Sequence, residues 1–158
     1  MIPDASYGDW IYADEPGPGI SWTYAYYWDG WKGPLTYLTP GAGYFYNRAG
    51  SDFNLTIIGK PLAEVNTTIY TGWNLIGYAK DVSMPLSDAI GPEYNPTGDM
   101  IFGDIAGPGI SWKSAVYIEG VGWYSPDGEL TELVPGEGYF YYREGNVFNW
   151  TYTDIQLS

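Results

Sequence analysis

The chain has 158 residues, a net charge of −13 from 19 acidic and 6 basic side chains, and neither cysteine nor histidine. These absences exclude disulfides, cysteine nucleophiles, Ser-His-Asp triads, and zinc or haem sites built on Cys and His. The acidic balance argues against nucleic acid and anionic lipid as partners, because both are bound through basic side chains. No apolar run is long enough to predict a membrane-spanning helix.

Aromatic and turn-forming residues dominate the composition. Trp, Tyr and Phe make up 19% of the chain, and Gly and Pro number 22 and 12. One aromatic side chain buries about 150–250 Å², and short apolar runs between Gly and Pro are typical of short strands joined by tight turns. We therefore predict an all-β protein made of two tandem, small β-sandwich-like or barrel-like repeats.

The chain contains an internal repeat. The hexapeptide at residues 17–22 recurs identically 90 positions later, and the segment at 40–48 recurs almost identically 95 positions later. The second copy therefore carries five extra residues between these blocks, which we place near residues 120–127. The aligned blocks are 8–14 with 98–104, 17–22 with 107–112, 40–48 with 135–143 and 53–57 with 148–152.

The two copies differ in completeness. We assign residues 1–63 to copy one and residues 64–158 to copy two, which includes a strand predicted at 72–78. Copy one has no counterpart of residues 64–90, so it is predicted to lack its opening strand. Either residues 69–80 serve both copies, or the true N-terminus was trimmed away, or a neighbouring molecule adds a strand to the open edge.

The remaining elements follow from local patterns. Aromatic runs at 44–46 and 139–142 predict strands that are covered on both faces. Alternating residues at 53–57 and 148–152 predict half-buried strands with a solvent face. Residues 86–90 after Pro85 predict one helical turn, and the Pro-Gly pairs predict turns. The candidates for strand edges that take part in assembly are Tyr7, Trp10, Tyr12, Tyr44, Tyr46, Trp73, Leu75, Tyr139 and Tyr141.

Three side-chain patterns are candidate sites. Asn54, Asn66 and Asn149 begin Asn-x-Thr sequons and are candidates for glycosylation, or are simply polar strand residues. Four acidic residues recur at equivalent positions, and their oxygens suit Ca²⁺, although turn capping is the favoured alternative; they are Asp9, Asp14, Asp99 and Asp104. A dense aromatic group could form a sugar-binding platform or belong to the core; it comprises Trp22, Tyr26, Tyr27, Trp28 and Trp31.

The assembled pattern resembles a β-repeat of extracellular proteins of archaea, methanogens especially, and of some bacteria. The resemblance implies a cell-surface location in S-layer-like, sheath-like or adhesive proteins, and it carries no established catalytic residues. The segments that carry it are Gly-Trp-Asn-Leu-Ile-Gly at 72–77, the short helix at 85–90, the aromatic middle at 112–123, Pro-Gly-Glu-Gly-Tyr at 135–139 and Asn-Trp-Thr at 149–151, with copy one supplying 22–31, 40–46 and 55–59.

From these observations we expect a non-enzymatic structural subunit of an extracellular surface assembly, namely an S-layer, sheath or filament. It would polymerise with itself by strand addition between subunits, and it would need no cofactor unless Ca²⁺ binds the repeated aspartates. The alternative is a carbohydrate-binding or adhesin module of a larger cell-surface protein, with surface glycans as its partners.

Overall fold

The computed structural model describes residues 2, 4–55, 62–105 and 107–153. Strands dominate these residues, and the one α-helix among them, α1 (Leu86–Ala89), has four residues. The all-β prediction is therefore confirmed, as is the single helical turn after Pro85. The described strands form open antiparallel sheets, and none of these sheets closes into a barrel.

Copy one forms a four-stranded antiparallel sheet in the order β3-β2-β1-β4. Its strands are β1 (Trp10–Asp14), β2 (Trp22–Tyr27), β3 (Trp31–Lys32) and β4 (Tyr44–Asn47). Ile11 and Ala13 of β1 and Ala25 of β2 point to one face and are buried. We call this the inner face, and the opposite side of the sheet the outer face.

Copy two repeats this sheet and extends it in the order β10-β9-β8-β12-β6, while β7 pairs with β11 and β5 pairs with β13. Its strands are β5 (Glu64–Ile69), β6 (Gly72–Gly77), β7 (Met84–Pro85), β8 (Met100–Asp104), β9 (Trp112–Ile118), β10 (Gly122–Tyr124), β11 (Glu132–Leu133), β12 (Gly138–Arg143) and β13 (Phe148–Thr153).

The strand register locates the extra residues of copy two. Tyr27 faces Trp31 across the β2-β3 hairpin, and the equivalent Tyr117 faces Trp123 across the β9-β10 hairpin. Two of the five extra residues therefore lengthen this hairpin, and the other three follow it. This agrees with the position expected from the sequence.

A second layer covers the inner face of the copy-two sheet and completes its core. Leu86 of α1, Leu133 of β11 and Trp150 of β13 are at most 1% exposed. The Trp150 indole N–H donates to the Ala89 carbonyl oxygen at 2.7 Å, which ties this layer to the end of α1. Residues from β5 through β13 thus form one continuous buried cluster.

Two predicted strand segments, residues 139–142 and 53–57, depart from their expected patterns. In β12, Tyr139 and Tyr141 are buried but Phe140 and Tyr142 are only partly covered, so the run alternates like an ordinary half-buried strand. The segment at 148–152 forms the predicted half-buried strand β13. Its copy-one counterpart does not, since residues 53–55 lie outside any strand and residues 56–57 lie outside the described residues.

Strand β6 connects the two copies. One edge of β6 pairs with β12 along its whole length, and the other edge meets residues 41–43 of copy one. Gly43 N–H donates to the Leu75 carbonyl at 3.2 Å, and Gly77 N–H donates to the Gly41 carbonyl at 2.9 Å. Residues 69–80 therefore do contact both copies, and their backbone pairing with copy one lies at this seam, which we define as residues 41–43 and 75–77.

Small residues make the seam possible. A Cβ atom on Gly43 would lie 2.6 Å from the Ile76 carbonyl oxygen, and a Cβ on Gly77 would overlap the Ala42 carbonyl oxygen. Ala42 stands where copy two has Glu137, which instead pairs with Lys113 at 3.2 Å. The glycines and the small residue at 42 therefore let two backbones approach where a longer side chain would separate them.

Candidate functional site

Asp9 is a fully buried carboxylate held by protein donors. It accepts hydrogen bonds from Tyr46 Oη at 2.5 Å, Arg48 Nη1 at 2.6 Å, and the backbone N–H groups of Ser6 and Ala49, both at 2.8 Å. Burial raises its pKa, but these four hydrogen bonds outweigh burial and lower the pKa of Asp9 to about 2. Burial and the hydrogen bond to Asp9 in turn raise the pKa of Tyr46 to about 12.

Asp99 repeats the same network in copy two. It accepts from Tyr141 Oη at 2.5 Å, from Arg143 Nη1 at 2.7 Å and from the Glu144 backbone N–H at 2.8 Å. Burial, first, and the charge of Asp99 raise the pKa of Tyr141. The Arg143 side chain is only 3% exposed, whereas the Arg48 side chain of copy one is 20% exposed.

Asp14 and Asp104 stabilise equivalent turns. Each carboxylate accepts a hydrogen bond at 2.7 Å from a backbone N–H seven residues later, that of Ser21 or of Ser111. Burial raises the pKa of Asp14 above its ordinary value. This is the turn-capping alternative, and no cluster of three or more acidic groups able to hold a metal ion exists within the described residues. The Ca²⁺ interpretation therefore gains no support from geometry.

The topology divides the nine strand-edge candidates. Strands β1 and β12 have neighbours on both sides, so Trp10, Tyr12, Tyr139 and Tyr141 are not at a sheet edge. Tyr7 precedes β1 and packs against Trp28, with ring centroids 3.8 Å apart. An assembly role for these five residues stays a prediction.

The other four candidates lie next to the seam. Tyr44 and Tyr46 lie on β4, which has β1 as its one strand partner and ends its sheet. Beyond Gly43 no described residue pairs with the free side of β4. Trp73 and Leu75 lie on β6, the last strand of the copy-two sheet. The structure thus brings the candidate edge of copy one beside a strand that belongs to copy two.

An apolar groove opens on the inner face of copy one beside β4. Its volume is about 460 Å³, and its walls include Ile11, Leu38, Tyr44 and Tyr46 from copy one and Val65 from copy two. The counterparts of the four copy-one residues are Ile101, Leu133, Tyr139 and Tyr141, which are all at most 1% exposed. The groove therefore occupies the place that the covering layer fills in copy two.

The exposure of equivalent residues measures what copy one lacks. Leu55 is 44% exposed, whereas its counterpart Trp150 is fully buried. Leu38 is only partly buried, whereas its counterpart Leu133 is fully buried and pairs with β7. Among its described residues, copy one therefore keeps four of the five strands of the repeat's sheet but not the layer that closes its core.

No family model, no curated protein and no solved structure matches the chain. Among the helices in the described parts of the chain, none has the length and apolar character needed to cross a membrane. The proposed function therefore rests on the geometry of the two copies.

An aromatic cluster on the outer face spans both copies. Phe140 lies at its centre, with its ring centroid 5.3 Å from that of Phe45 and 5.6 Å from that of Trp112. Trp22, Trp73 and Trp112 around it are 49%, 39% and 47% exposed. The repeat register contained a signal for this cluster, because Trp22 and Phe45 align with Trp112 and Phe140.

The sugar-platform residues do not form one surface. Trp22 belongs to the outer-face cluster, and Tyr26 packs on Trp10 on the same side. Trp31 instead packs against Tyr27 and Tyr46. The sequence grouped these rings because they are neighbours in the chain, but alternation along the strands separates them.

The sequon asparagines are exposed. Asn66 and Asn149 lie on the same face of the β5-β13 ladder, where Thr68 Oγ1 donates to Asn149 Oδ1 at 3.1 Å. Asn54 is exposed outside any strand, so its predicted place on a strand face is not found, and Thr56 of its sequon lies outside the described residues. Glycosylation of the three remains a prediction.

Proposed function

We propose that this protein is a non-enzymatic structural subunit of an extracellular surface assembly, such as an S-layer, sheath or filament, and that a neighbouring molecule completes copy one. The observation that supports this proposal is that beyond Gly43 no described residue pairs with the second edge of β4, which lies beside an open apolar groove. Its counterpart in copy two is fully covered.

Strand addition is the simplest way to complete such a sheet. Asp9 and Glu15, which flank β1, bond on the β2 side, so alternation leaves Trp10 and Tyr12 to bond to Asn47 and Phe45 of β4. The N–H and C=O groups of Tyr44 and Tyr46 therefore face away from β1, where no described residue pairs with them, and form a template for another strand. A contact between this edge and a different surface of the next molecule is head-to-tail, and it yields an open polymer unless the rotation closes. The net charge of −13 keeps the free subunit soluble and opposes indiscriminate aggregation.

The proposal assigns no catalytic residue. The buried carboxylates Asp9 and Asp99 are neutralised by Arg48 and Arg143 and support β4 and β12. Their role is structural in both copies. The proposed cell-surface location rests on the repeat resemblance and on the exposed sequons.

The test is negative-stain electron microscopy and light scattering of the purified protein at rising concentration, with and without Ca²⁺. Ordered filaments, tubes or sheets are expected. The variant Tyr44→Pro removes a backbone N–H on the free side of β4. It should polymerise less than Tyr44→Ala, which loses the same side chain but keeps this N–H, while circular dichroism shows both variants folded. Dispersed particles of about the monomer mass of 17.6 kDa at every concentration would contradict the proposal.

The second candidate is a carbohydrate-binding or adhesin module, which the outer-face cluster of Trp22, Trp73 and Trp112 favours. Exposed, contiguous aromatic surface marks binding sites. A monomeric protein whose tryptophan fluorescence changes with added glycans, and whose Trp112→Ala variant loses that change, would support this candidate over the first.

A further inference from the structure

The groove of copy one has a template for its occupant within the same chain. In copy two, the segment formed by β7 and α1 covers the equivalent surface: Met84 faces Leu133, and the Leu86 N–H donates to the Thr131 carbonyl at 3.0 Å. Leu86 is 1% exposed and Ala89 is 4% exposed. This short strand followed by one helical turn closes the core.

Copy one retains the surface that accepts this segment. Residues 35–38 read Leu-Thr-Tyr-Leu and align with Leu-Thr-Glu-Leu at 130–133. Thr36 therefore offers the carbonyl that Thr131 uses, and residues 37–38 offer the backbone that β11 uses to pair with β7. Leu38 lines the groove, and no described strand pairs with residues 37–38, so the receptor surface is present and uncovered by described residues.

The chain already fills one end of this surface. In copy two, the Trp123 indole N–H donates to the Ile90 carbonyl at 2.9 Å, at the end of the covering segment. In copy one, the Trp31 indole N–H donates to the Ile2 carbonyl at 3.3 Å, and Ile2 is 7% exposed. Ile2 thus takes the place next to Trp31, and the groove that remains corresponds to the residues before Ile90.

We propose that the copy-one groove binds the β7-α1 segment of another repeat of this type, carried by a separate polypeptide. The chemistry of the occupant is a short extended stretch with Met and Pro, followed by one helical turn with inward-facing Leu and Ala. The inference rests on the proposed function, in which a neighbour completes copy one, and it names the segment that covers the groove, a contact separate from the strand added at β4. The receptor contributes Thr36, Leu38 and the apolar wall formed by Ile11 and Tyr46.

The direct test adds a synthetic peptide with the sequence of residues 80–91 to the whole protein. Isothermal titration calorimetry should show saturable binding at one site, and hydrogen exchange should slow at residues 37–38. A peptide with Leu86→Asp should bind at least about tenfold more weakly, because it would bury an unpaired charge. Equal binding by both peptides, or no binding by either, would overturn the proposal.

Protein variants locate the site. Leu38→Asp should abolish peptide binding, whereas Tyr24→Ser, a 40% exposed position on the outer face, should leave it unchanged. Circular dichroism checks that both variants stay folded. Loss of binding in both variants, or in neither, would contradict the assignment of the groove.

A fusion tests whether the segment fits the groove when it is part of the same polypeptide as copy one. Residues 80–88 placed directly before residue 1 set Leu86 four residues ahead of Ile2, as it stands ahead of Ile90 in copy two. This fusion should raise the melting temperature, whereas the same fusion with Leu86→Asp should not. Stabilisation by the fusion without binding of the free peptide would overturn the separate-polypeptide source. Light scattering without peptide tests polymerisation alone, so failure of the proposed function is seen independently of peptide binding.

Discussion

Leu133 and Leu38 occupy the same position in the two copies, yet Leu133 is fully buried and Leu38 borders an open groove. The sheets around them have the same strand order and the same buried aspartate-arginine-tyrosine network. They differ in the second layer, which copy two builds from β5, β7, α1 and β13. The comparison teaches that a repeat can keep its sheet and its polar network without a covered hydrophobic core. The cover comes from segments that belong to neither the sheet nor the network.

The largest expected contrast concerns the residue that closes each core. Trp150→Ala should destabilise the protein by about 3–5 kcal/mol, because it leaves a cavity and removes the bond to Ala89. Leu55→Ala, at the equivalent and 44% exposed position, should cost under about 1 kcal/mol. Urea denaturation of both variants measures these losses in the free energy of unfolding. Similar losses at the two positions would show that copy one has a closed core after all.

Acid should weaken copy one through Asp9. Its pKa of about 2 lies below the ordinary value of 3.8, so the unfolded chain takes up this proton first as the pH falls. The stabilisation is complete above about pH 4, is lost as the pH falls towards 2, and amounts to about 2 kcal/mol. In the wild type, the free energy of unfolding measured by denaturation between pH 2 and 5 should therefore fall as the pH falls, and this dependence is the slope to be compared.

Two carboxylate variants control the acid experiment. Asp9→Asn should flatten the slope and lower stability near neutral pH. Asp4→Asn removes an exposed carboxylate near Arg48. Arg48 bonds to the backbone oxygen of Asp4 and not to this carboxylate, so the variant should leave the slope unchanged. An unchanged slope in Asp9→Asn would refute this account of copy one.

The smallest expected effect sharpens the comparison at the seam. Gly41 and Gly136 are equivalent and have φ values of 80° and 79°, so alanine costs about 1 kcal/mol of backbone strain at either. Only at Gly41 would the new Cβ overlap Thr67 Oγ1, since Gly136 has open space. Gly41→Ala should therefore cost about 1–2 kcal/mol more than Gly136→Ala in thermal denaturation. Equal costs would mean that Thr67 moves away from the new Cβ atom without a measurable loss of stability.

Sequence patterns anticipated the elements that depend on neighbouring residues. The strands around Tyr44, Trp73, Tyr139 and Trp150 lie where they were predicted, because alternation and flanking glycines act locally. The buried roles of Asp9 and Asp99 were not predicted. Their partners Arg48 and Arg143 lie about forty residues away, and nothing in the local pattern marks an ion pair that forms only when β1 meets β4, or β8 meets β12. The recurrence of both residues at equivalent positions of the aligned copies was the available signal, although the spacing is 39 residues in copy one and 44 in copy two, which carries five extra residues.

The sequence by itself determined that the protein is all-β and that the blocks within residues 8–57 recur in the same order within residues 98–152. These properties follow from alternation, turn residues and self-similarity, which can be read directly from the sequence. Only the tertiary structure decided that β6 contacts both copies at the seam, that beyond Gly43 no described residue pairs with the second edge of β4, and that an apolar groove lies beside it. Such features depend on which surfaces meet in space, and packing between distant segments is not encoded in the period of any one strand.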